Sequence, residues 1–122
     1  MDSQDIILDH YHHPRHVGRL QEATHSSKTE NLSCGDSLTM DIVIKNGIIE
    51  NIGWVGSGCA LSQASASLLS EKVAGISPED ALKISGSDIT ELLGIETLSP
   101  ARAKCAFLSI ETLHQALNNT NS

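Results

Sequence analysis

Aromatic side chains are nearly absent from this sequence. Its 122 residues include one Trp, one Tyr and one Phe. Basic residues are also in the minority, with 8 Lys and Arg against 15 Asp and Glu, which gives a formal net charge of −7. A nucleic-acid surface needs concentrated positive charge and, for single strands, aromatic rings on which bases stack. We therefore expect no nucleic-acid partner.

Long apolar runs are missing too, and the N-terminus has no leader of basic and then apolar residues. A membrane-spanning helix needs about 20 consecutive apolar residues. We therefore expect a cytoplasmic protein that has no contact with a membrane. A chain of 122 residues can bury one core, and neither repeats nor linkers divide it. We expect one domain over residues 1–122, with 118–122 as a polar tail.

The sequence has no Cys-x-x-Cys pair, but it has three cysteines: Cys34, Cys59 and Cys105. An odd number of cysteines in a reducing compartment indicates metal binding or thiol reactivity more than disulfides. Asp36 follows Cys34 by two residues, and three thiolates with one carboxylate complete the ligand set of a tetrahedral metal. The same groups suit a site that handles sulfur. Three buried small side chains, or a structural zinc site, are the alternatives that spacing leaves open.

The order of helix, strands and further helices predicts an α+β fold, in which a small antiparallel β-sheet is packed against helices. Apolar and polar residues alternate from Ser37 to Lys45, which predicts a strand with one buried face. The polar stretch 18–33 is predicted to be a loop. Caps, prolines and glycines predict helices at 3–12, 60–74, 78 to about 86, 87–94 and 100–117.

Asn46-Gly47 after this strand predicts a β-hairpin. A two-residue loop would place Ile49 beside Ile44. A three-residue loop would place Ile48, Ile52 and Trp54 on that face instead. We favour the three-residue loop, because it buries more apolar side chains.

Cys59 falls at or just before the start of the second helix, where unpaired backbone N–H groups favour a thiolate. Gly56 and Gly58 are expected to leave room there for a ligand or a partner chain. Cys34 and Asp36 occupy the loop before the first predicted strand, with Gly35 between them to allow a sharp turn.

Cys105 lies in the first two turns of the last helix. The predicted core stripe of that helix comprises Ala103, Phe107, Ile110, His114 and Leu117. Cys105 would point roughly 135° away from the centre of this stripe. We therefore expect Cys105 to lie outside the core, with Arg102 and Lys104 stabilising its thiolate.

Four histidines, His10, His12, His13 and His16, surround Pro14. Consecutive histidines at a helix end rarely converge on one point, so we do not expect them to form a second metal site. His25 and His114 are not convincing ligands either.

Four blocks carry a resemblance that spans nearly the whole chain. The four blocks are Ile7-Leu-Asp-His-Tyr-His-His-Pro-Arg, Asn31-Leu-Ser-Cys-Gly-Asp, Gly56-Ser-Gly-Cys-Ala-Leu-Ser and Pro100-Ala-Arg-Ala-Lys-Cys-Ala-Phe-Leu. With these blocks the chain resembles the IscU/NifU-like family of iron–sulfur cluster assembly scaffolds, and is most similar to its SufU-like branch.

The resemblance implies a scaffold that accepts persulfide sulfur from a cysteine desulfurase, binds iron or a [2Fe-2S] cluster, and delivers it to apo iron–sulfur proteins. It also implies the ligands Cys34, Asp36, Cys59 and Cys105. In the SufU-like branch the same set binds zinc, which implies instead a zinc-dependent sulfurtransferase that stimulates the desulfurase. The persulfide acceptor would be Cys34 in the zinc alternative and Cys105 in the scaffold alternative. A metal-stabilised interaction module without sulfur chemistry is a third possibility.

The departures from each branch point in different directions. The IscU branch has histidine immediately before its third cysteine, where this chain has Lys104, as in the SufU-like branch. Leu98-Ser-Pro-Ala-Arg replaces the Leu-Pro-Pro-Val-Lys segment that an Hsp70-type chaperone recognises in IscU. The gap between Cys59 and Cys105, however, lacks the insertion typical of SufU-like proteins. The sequence thus does not decide whether the ligands bind zinc or an iron–sulfur cluster.

Overall fold

The computed structural model describes residues 2–31 and 35–119. Within them the order of elements is α1 Ser3–His12, β1 His25–Asn31, β2 Asp36–Lys45, β3 Ile48–Ser57, α2 Ala60–Val73, α3 Pro78–Leu82, α4 Gly86–Leu93 and α5 Pro100–Asn118. The strands form an antiparallel sheet in the order β1-β2-β3. Helices cover one face of this sheet, so the predicted α+β fold is confirmed.

The helix ends follow from their capping residues. Asp2 caps α1, Ser77 caps α3 before Pro78, and Ser99 caps α5 before Pro100, each accepting a hydrogen bond from a backbone N–H in the first turn. Ser85 begins α4 through a reciprocal pair of hydrogen bonds with Asp88, two residues earlier than the sequence predicted. Asn118 ends α5, so it is part of that helix and not of a tail.

The strand β1 corrects the prediction of a loop over 18–33. It pairs with β2 along its whole length, from His25 opposite Ile42 to Asn31 opposite Asp36. Its buried residues are the hydroxyl side chains Ser27 and Thr29, and Thr29 makes a hydrogen bond with Thr112 of α5. Because the buried face of β1 is polar, no alternation of hydrophobicity marks this strand in the sequence.

The hairpin between β2 and β3 corrects the favoured register. Lys45 pairs with Ile48 across a two-residue loop, and Asn46 and Gly47 have φ values of 55° and 76°. Two positive φ angles define the mirror-image turn that suits the twist of a hairpin.

Glu50 is an extra residue in β3, because Ile44 pairs with Ile49 whereas Val43 pairs with Asn51. The bulge returns Ile52 to the buried face beside Ile42. The two-residue loop therefore predicts the correct side-chain placement before the bulge, at Ile49, and the three-residue loop predicts it after the bulge, at Ile52 and Trp54.

The core lies between the sheet and the helices. Its largest fully buried side chains include Met40, Ile42, Ile52, Leu69 and Leu113. The helix α5 contacts two strands and three helices, so its buried residues surround much of its circumference. Cys105, Ala106, Ser109 and Thr112 are buried while Phe107 is only partly so, which corrects the predicted core stripe.

The outer face of the sheet carries a buried carboxylate. Asp41 of β2 is 1% exposed and accepts hydrogen bonds from Arg19 Nε at 2.7 Å, Ser26 Oγ at 2.7 Å and Leu20 N at 2.9 Å. Burial acts to raise the pKa of Asp41, but these hydrogen bonds outweigh it and hold the pKa below its usual value. Asp41 thereby fastens the loop before β1 to the sheet.

Candidate metal centre

Asp36 and Cys59 meet where β2 begins and α2 begins. Asp36 is the first residue of β2 and is 1% exposed, and Cys59 is the N-cap of α2. The backbone N–H of Cys59 donates a hydrogen bond of 2.9 Å to Asp36 Oδ1, and Cys59 Sγ lies 3.6 Å from Asp36 Oδ2. The carboxylate thus satisfies a helix N–H with one oxygen and faces the thiol with the other.

Gly58 makes this contact possible. It has a φ of 128°, and a Cβ at this position would lie 1.8 Å from Asp36 Oδ1. A Cβ at Gly56 would lie 2.8 Å from the carbonyl oxygen of Ser37. The space beside both glycines is therefore filled by the start of β2, which corrects the expectation that it is kept for a ligand or a partner chain.

Cys105 approaches the same point from α5. Its side chain is 9% exposed and belongs to the hydrophobic core, so the expectation that it lies outside the core was wrong. The reason is that the face of α5 predicted to be solvent-exposed packs against its neighbours. Cys105 Sγ, Cys59 Sγ and an oxygen of Asp36 nevertheless all lie within 4.8 Å of one another.

These three side chains are chemically suited to a thiophilic metal. Tetrahedral zinc with sulfur bonds of about 2.3 Å places its ligand atoms roughly 3.8 Å apart. The observed spread of up to 4.8 Å would close by small side-chain rotations, and Cys59 is exposed and has room to move. The carboxylate is already fixed by the N–H of Cys59. Two thiols and this carboxylate therefore fit three positions of a four-coordinate metal.

Cys34 lies outside the described residues. The strand β1 ends at Asn31 and β2 begins at Asp36, and these two residues are partners across the sheet. Gly35 N donates a hydrogen bond of 2.9 Å to the carbonyl oxygen of Asn31. In the sequence, Cys34 precedes Asp36, the first residue of β2, by two residues.

The two cations near Cys105 line different cavities. Arg102 lines a cavity of about 390 Å³ together with Cys59, Leu61 and Cys105. Lys104 lines a groove of about 620 Å³ with Glu30, Asn31, Ala103, Phe107 and Glu111. Among the described residues, Arg102 is thus the cation that shares a cavity with the two thiols, whereas the sequence analysis predicted the same role for both cations.

The histidines lie apart from this site. His10 is buried between α1 and α2, where its Nδ1 is 2.7 Å from Ser67 Oγ, and burial lowers its pKa. In residues 2–31 and 35–119, the group of side chains with metal-ligand spacing consists of Asp36, Cys59 and Cys105, without histidine.

In the described ranges 2–31 and 35–119, no helix is both long and apolar enough to cross a bilayer.

The chain matches a known protein family over nearly its whole length. The family model described as "NifU-like N terminal domain" matches residues 2–122. The chain therefore belongs to the family of NifU-like N-terminal domains.

Curated relatives include proteins of both branches. The "Iron-sulfur cluster assembly scaffold protein IscU" of Thermotoga maritima is 31% identical, and the match covers 93% of this chain and 90% of the relative. The "Zinc-dependent sulfurtransferase SufU" of Bacillus subtilis is 32% identical, with 93% and 88% covered. Overall identity is thus nearly equal for these two relatives.

Solved structures share the fold. A putative iron–sulfur cluster assembly scaffold for the SUF system from Fervidobacterium islandicum has a TM-score of 0.79 and 25% identity, over 93% of this chain and 94% of that one. A NifU-like N-terminal protein from Brucella abortus has a TM-score of 0.76 at 17% identity, over 93% and 90% of the two chains, and supports the fold alone.

Proposed function

We propose that this chain is an iron–sulfur cluster assembly scaffold. It accepts persulfide sulfur from a cysteine desulfurase, binds iron and a [2Fe-2S] cluster as its cargo, and delivers the cluster to apo iron–sulfur proteins. The ligands are Cys34, Asp36, Cys59 and Cys105. The observation that carries this proposal is the convergence of Asp36, Cys59 and Cys105 from three different elements of the fold.

Residues 1–122 would form one scaffold domain. The family match over residues 2–122 supports this extent.

Sulfur acceptance is a displacement at sulfur. A thiolate of the scaffold attacks the outer sulfur of the desulfurase persulfide, the sulfur–sulfur bond of the donor breaks, and the donor thiolate leaves with the electron pair and takes up a proton. Cys59 is exposed whereas Cys105 is buried beside the cavity that Arg102 lines. Cys105 would need that cavity to receive the incoming sulfur, and Cys34 remains the other candidate acceptor.

The ligand set has one member that holds metal less firmly. A carboxylate is a harder donor than a thiolate and binds a soft metal more weakly. Asp36 also has a second partner, the N–H of Cys59, with which it keeps a hydrogen bond when it releases a metal. Release of Asp36 would open a coordination position for cluster transfer without leaving the carboxylate unpaired.

A second candidate function is that of a zinc-dependent sulfur acceptor that stimulates the desulfurase. The observation that favours it is Lys104, where the IscU branch has histidine; Lys104 lines the groove beside Glu30 instead of the cavity with Cys59 and Cys105. Zinc bound to the thiols would keep them deprotonated and protected until the desulfurase arrives.

Metal analysis of the anaerobically purified chain would test both functions, followed by addition of a desulfurase, cysteine and ferrous iron. A visible-absorbing [2Fe-2S] product supports the scaffold function. Tight zinc together with faster desulfurase turnover supports the sulfur acceptor. If neither appears, both are wrong and an interaction module remains.

Four single-residue variants sharpen this test. Cys59→Ala should abolish cluster formation, while Ser57→Ala, an exposed position two residues away, should leave it unchanged. Mass spectrometry of Cys34→Ala and Cys105→Ala after one turnover identifies the acceptor, since only loss of the true acceptor removes the added mass of one sulfur atom.

A further inference from the structure

The cavity beside the two thiols is larger than a sulfur atom requires. It measures about 390 Å³ and is lined by Cys59, Ala60, Leu61, Ala101, Arg102 and Cys105. Small apolar side chains form most of its wall, and among the described residues that line it the charged group is the guanidinium of Arg102. Such a combination of apolar surface with one oriented charge is typical of a site for a small molecule.

Arg102 is available to bind a ligand. Its backbone N–H is bound to Ser99 Oγ at the start of α5, which fixes the position of the residue, whereas its side chain is exposed. Along the described part of the chain, the ion pairs involve Arg15, Arg19 and other cations but not Arg102. A guanidinium that has no carboxylate of its own can pair with one from a ligand through two parallel hydrogen bonds.

The charge of the protein makes this position distinctive. The chain has a net charge of −7, which repels small anions from most of its surface. Lys104 does not relieve this repulsion at the thiols, because it lines the groove on another side of α5 with Glu30 and Glu111. Arg102 is therefore the local positive charge that an anion approaching Cys59 or Cys105 would meet.

We propose that this cavity is a binding site for small carboxylate-bearing thiols and persulfides, in which Arg102 pairs with the carboxylate while the ligand sulfur lies beside Cys59 and Cys105. The proposal rests on the sulfur-accepting function proposed above and names a class of small sulfur carrier for the same site. The transfer is again a displacement. A protein thiolate attacks the outer sulfur of the carrier persulfide, and the carrier leaves as a thiolate that takes up a proton.

A matched set of symmetrical disulfides tests the charge preference directly. Dithiodipropionate carries carboxylates, hydroxyethyl disulfide is neutral and cystamine carries ammonium groups, while all three are dialkyl disulfides whose leaving thiols differ in acidity. The full chain with Cys34→Ser leaves Cys59 and Cys105 as the reacting thiols. Mass spectrometry of the mixed disulfides gives the rate constant for each reagent, and dividing it by the rate constant of the same reagent with the urea-unfolded chain removes the intrinsic difference between the reagents.

On this normalised scale we expect dithiodipropionate to react about fivefold faster than hydroxyethyl disulfide, the size of effect typical of one exposed charge pair, and cystamine to react slowest. Arg102→Gln should bring the ratio of the first two rates close to one, and Arg102→Lys should restore part of it. Lys104→Gln is the matched control, two residues away on the same helix, and should keep the parent ratio. Added salt should lower the ratio in the parent but not in Arg102→Gln.

The inference is wrong if the parent shows no preference for the anionic reagent, or if Lys104→Gln lowers the ratio as much as Arg102→Gln does. Circular dichroism of each variant separates loss of fold from loss of charge, and Arg102→Lys provides a second folded variant. The disulfide reagents need neither desulfurase nor iron. Failure of this test therefore overturns the cavity proposal alone, whereas failure of desulfurase-dependent sulfur transfer overturns the proposed function.

Discussion

The backbone N–H of Cys59 donates to Oδ1 of Asp36 across 2.9 Å, so a candidate metal ligand also caps the helix that carries its neighbouring ligand. The carboxylate is almost fully buried. Stability of the α2 start and metal affinity therefore depend on the same side chain, and substitutions of Asp36 change both.

Replacing Asp36 with Ala should lengthen the lifetime of a bound cluster, because the weakest ligand is removed and the release described above is lost. The same change should lower the free energy of unfolding of the metal-free protein by about 1–2 kcal/mol, since the Cys59 N–H loses its cap. Decay of the visible absorption of the reconstituted protein and denaturant unfolding measure the two effects. Asp36→Asn keeps an oxygen for the N–H and should lose less stability. Faster cluster loss in the Ala variant would contradict the role given to Asp36.

Gly58→Ala should weaken the equilibrium binding of zinc by about tenfold or more, as expected when the support of a zinc ligand is displaced. The added Cβ would lie 1.8 Å from Asp36 Oδ1, so the carboxylate has to move. Gly75→Ala is a matched control, because Gly75 also has a positive φ, of 92°, but nothing lies within 4 Å of its Cβ position. Zinc titration with a competing chelator gives the affinity. Equal losses in both variants would mean that backbone strain alone, about 1–3 kcal/mol, explains the effect.

The stability that Asp41 contributes to the folded protein should be lost in acid. Its pKa in the folded protein is below the usual 3.8, because hydrogen bonds from Arg19, Ser26 and Leu20 outweigh its burial. This stability is complete above about pH 5 and is lost as the pH falls through the folded pKa, below 3.8. Asp41→Asn should lower the free energy of unfolding at pH 7 by about 2 kcal/mol and flatten the acid limb of its pH dependence. Asp9→Asn, at a half-exposed pair with Arg15, should change that limb less. Parallel acid limbs for Asp41→Asn and the parent would contradict the assignment.

His10 should add a second pH dependence, nearer to neutrality. Burial is the largest cause of its lowered pKa, and Arg15 adds to it, while Glu71 and Asp9 oppose it. The unfolded chain therefore binds a proton more readily at this residue, and stability falls as the pH drops below the ordinary value of 6.5. His10→Asn should remove this decline, whereas His12→Asn, at an exposed position of the same helix, should keep it. Chemical denaturation between pH 5 and 8 measures both. A decline that persists in His10→Asn would assign it to another group.

Local features of the sequence were sufficient where backbone chemistry decides the structure. Ser77-Pro78 and Ser99-Pro100 begin helices, and Gly94 ends one with a φ of 72°, as capping rules predict. The alternation over β2 was equally direct. These elements were predictable because each depends on a few neighbouring residues.

Long-range packing decided what the sequence could not show. The strand β1 buries Ser27 and Thr29 against α5, so its inner face reads as polar. The predicted orientation of α5 was wrong, because helices and strands surround this helix and its buried residues do not form a single stripe. The register of β3 depended on the bulge at Glu50, which has no signature in local hydrophobicity.

The sequence was enough to predict which residues belong to the candidate site, but not how most of them are arranged. Glycine neighbours and the helix start indicated a site at Cys59, but Gly58 proved to make room for Asp36. Arg102 and Lys104 line different cavities because of the way α5 packs, which the sequence does not show.

Asp36 is at once the first residue of β2, the partner of Asn31 across the sheet and the cap of α2. Any ligand that pulls on this carboxylate therefore pulls on a strand end and a helix end together. Loading of the site should then alter the hydrogen exchange of amides in both elements, including those that never touch the cargo. A partner protein that contacts only the end of the sheet where β2 begins, or only the first turn of α2, would thereby encounter a different surface on the loaded and on the empty scaffold.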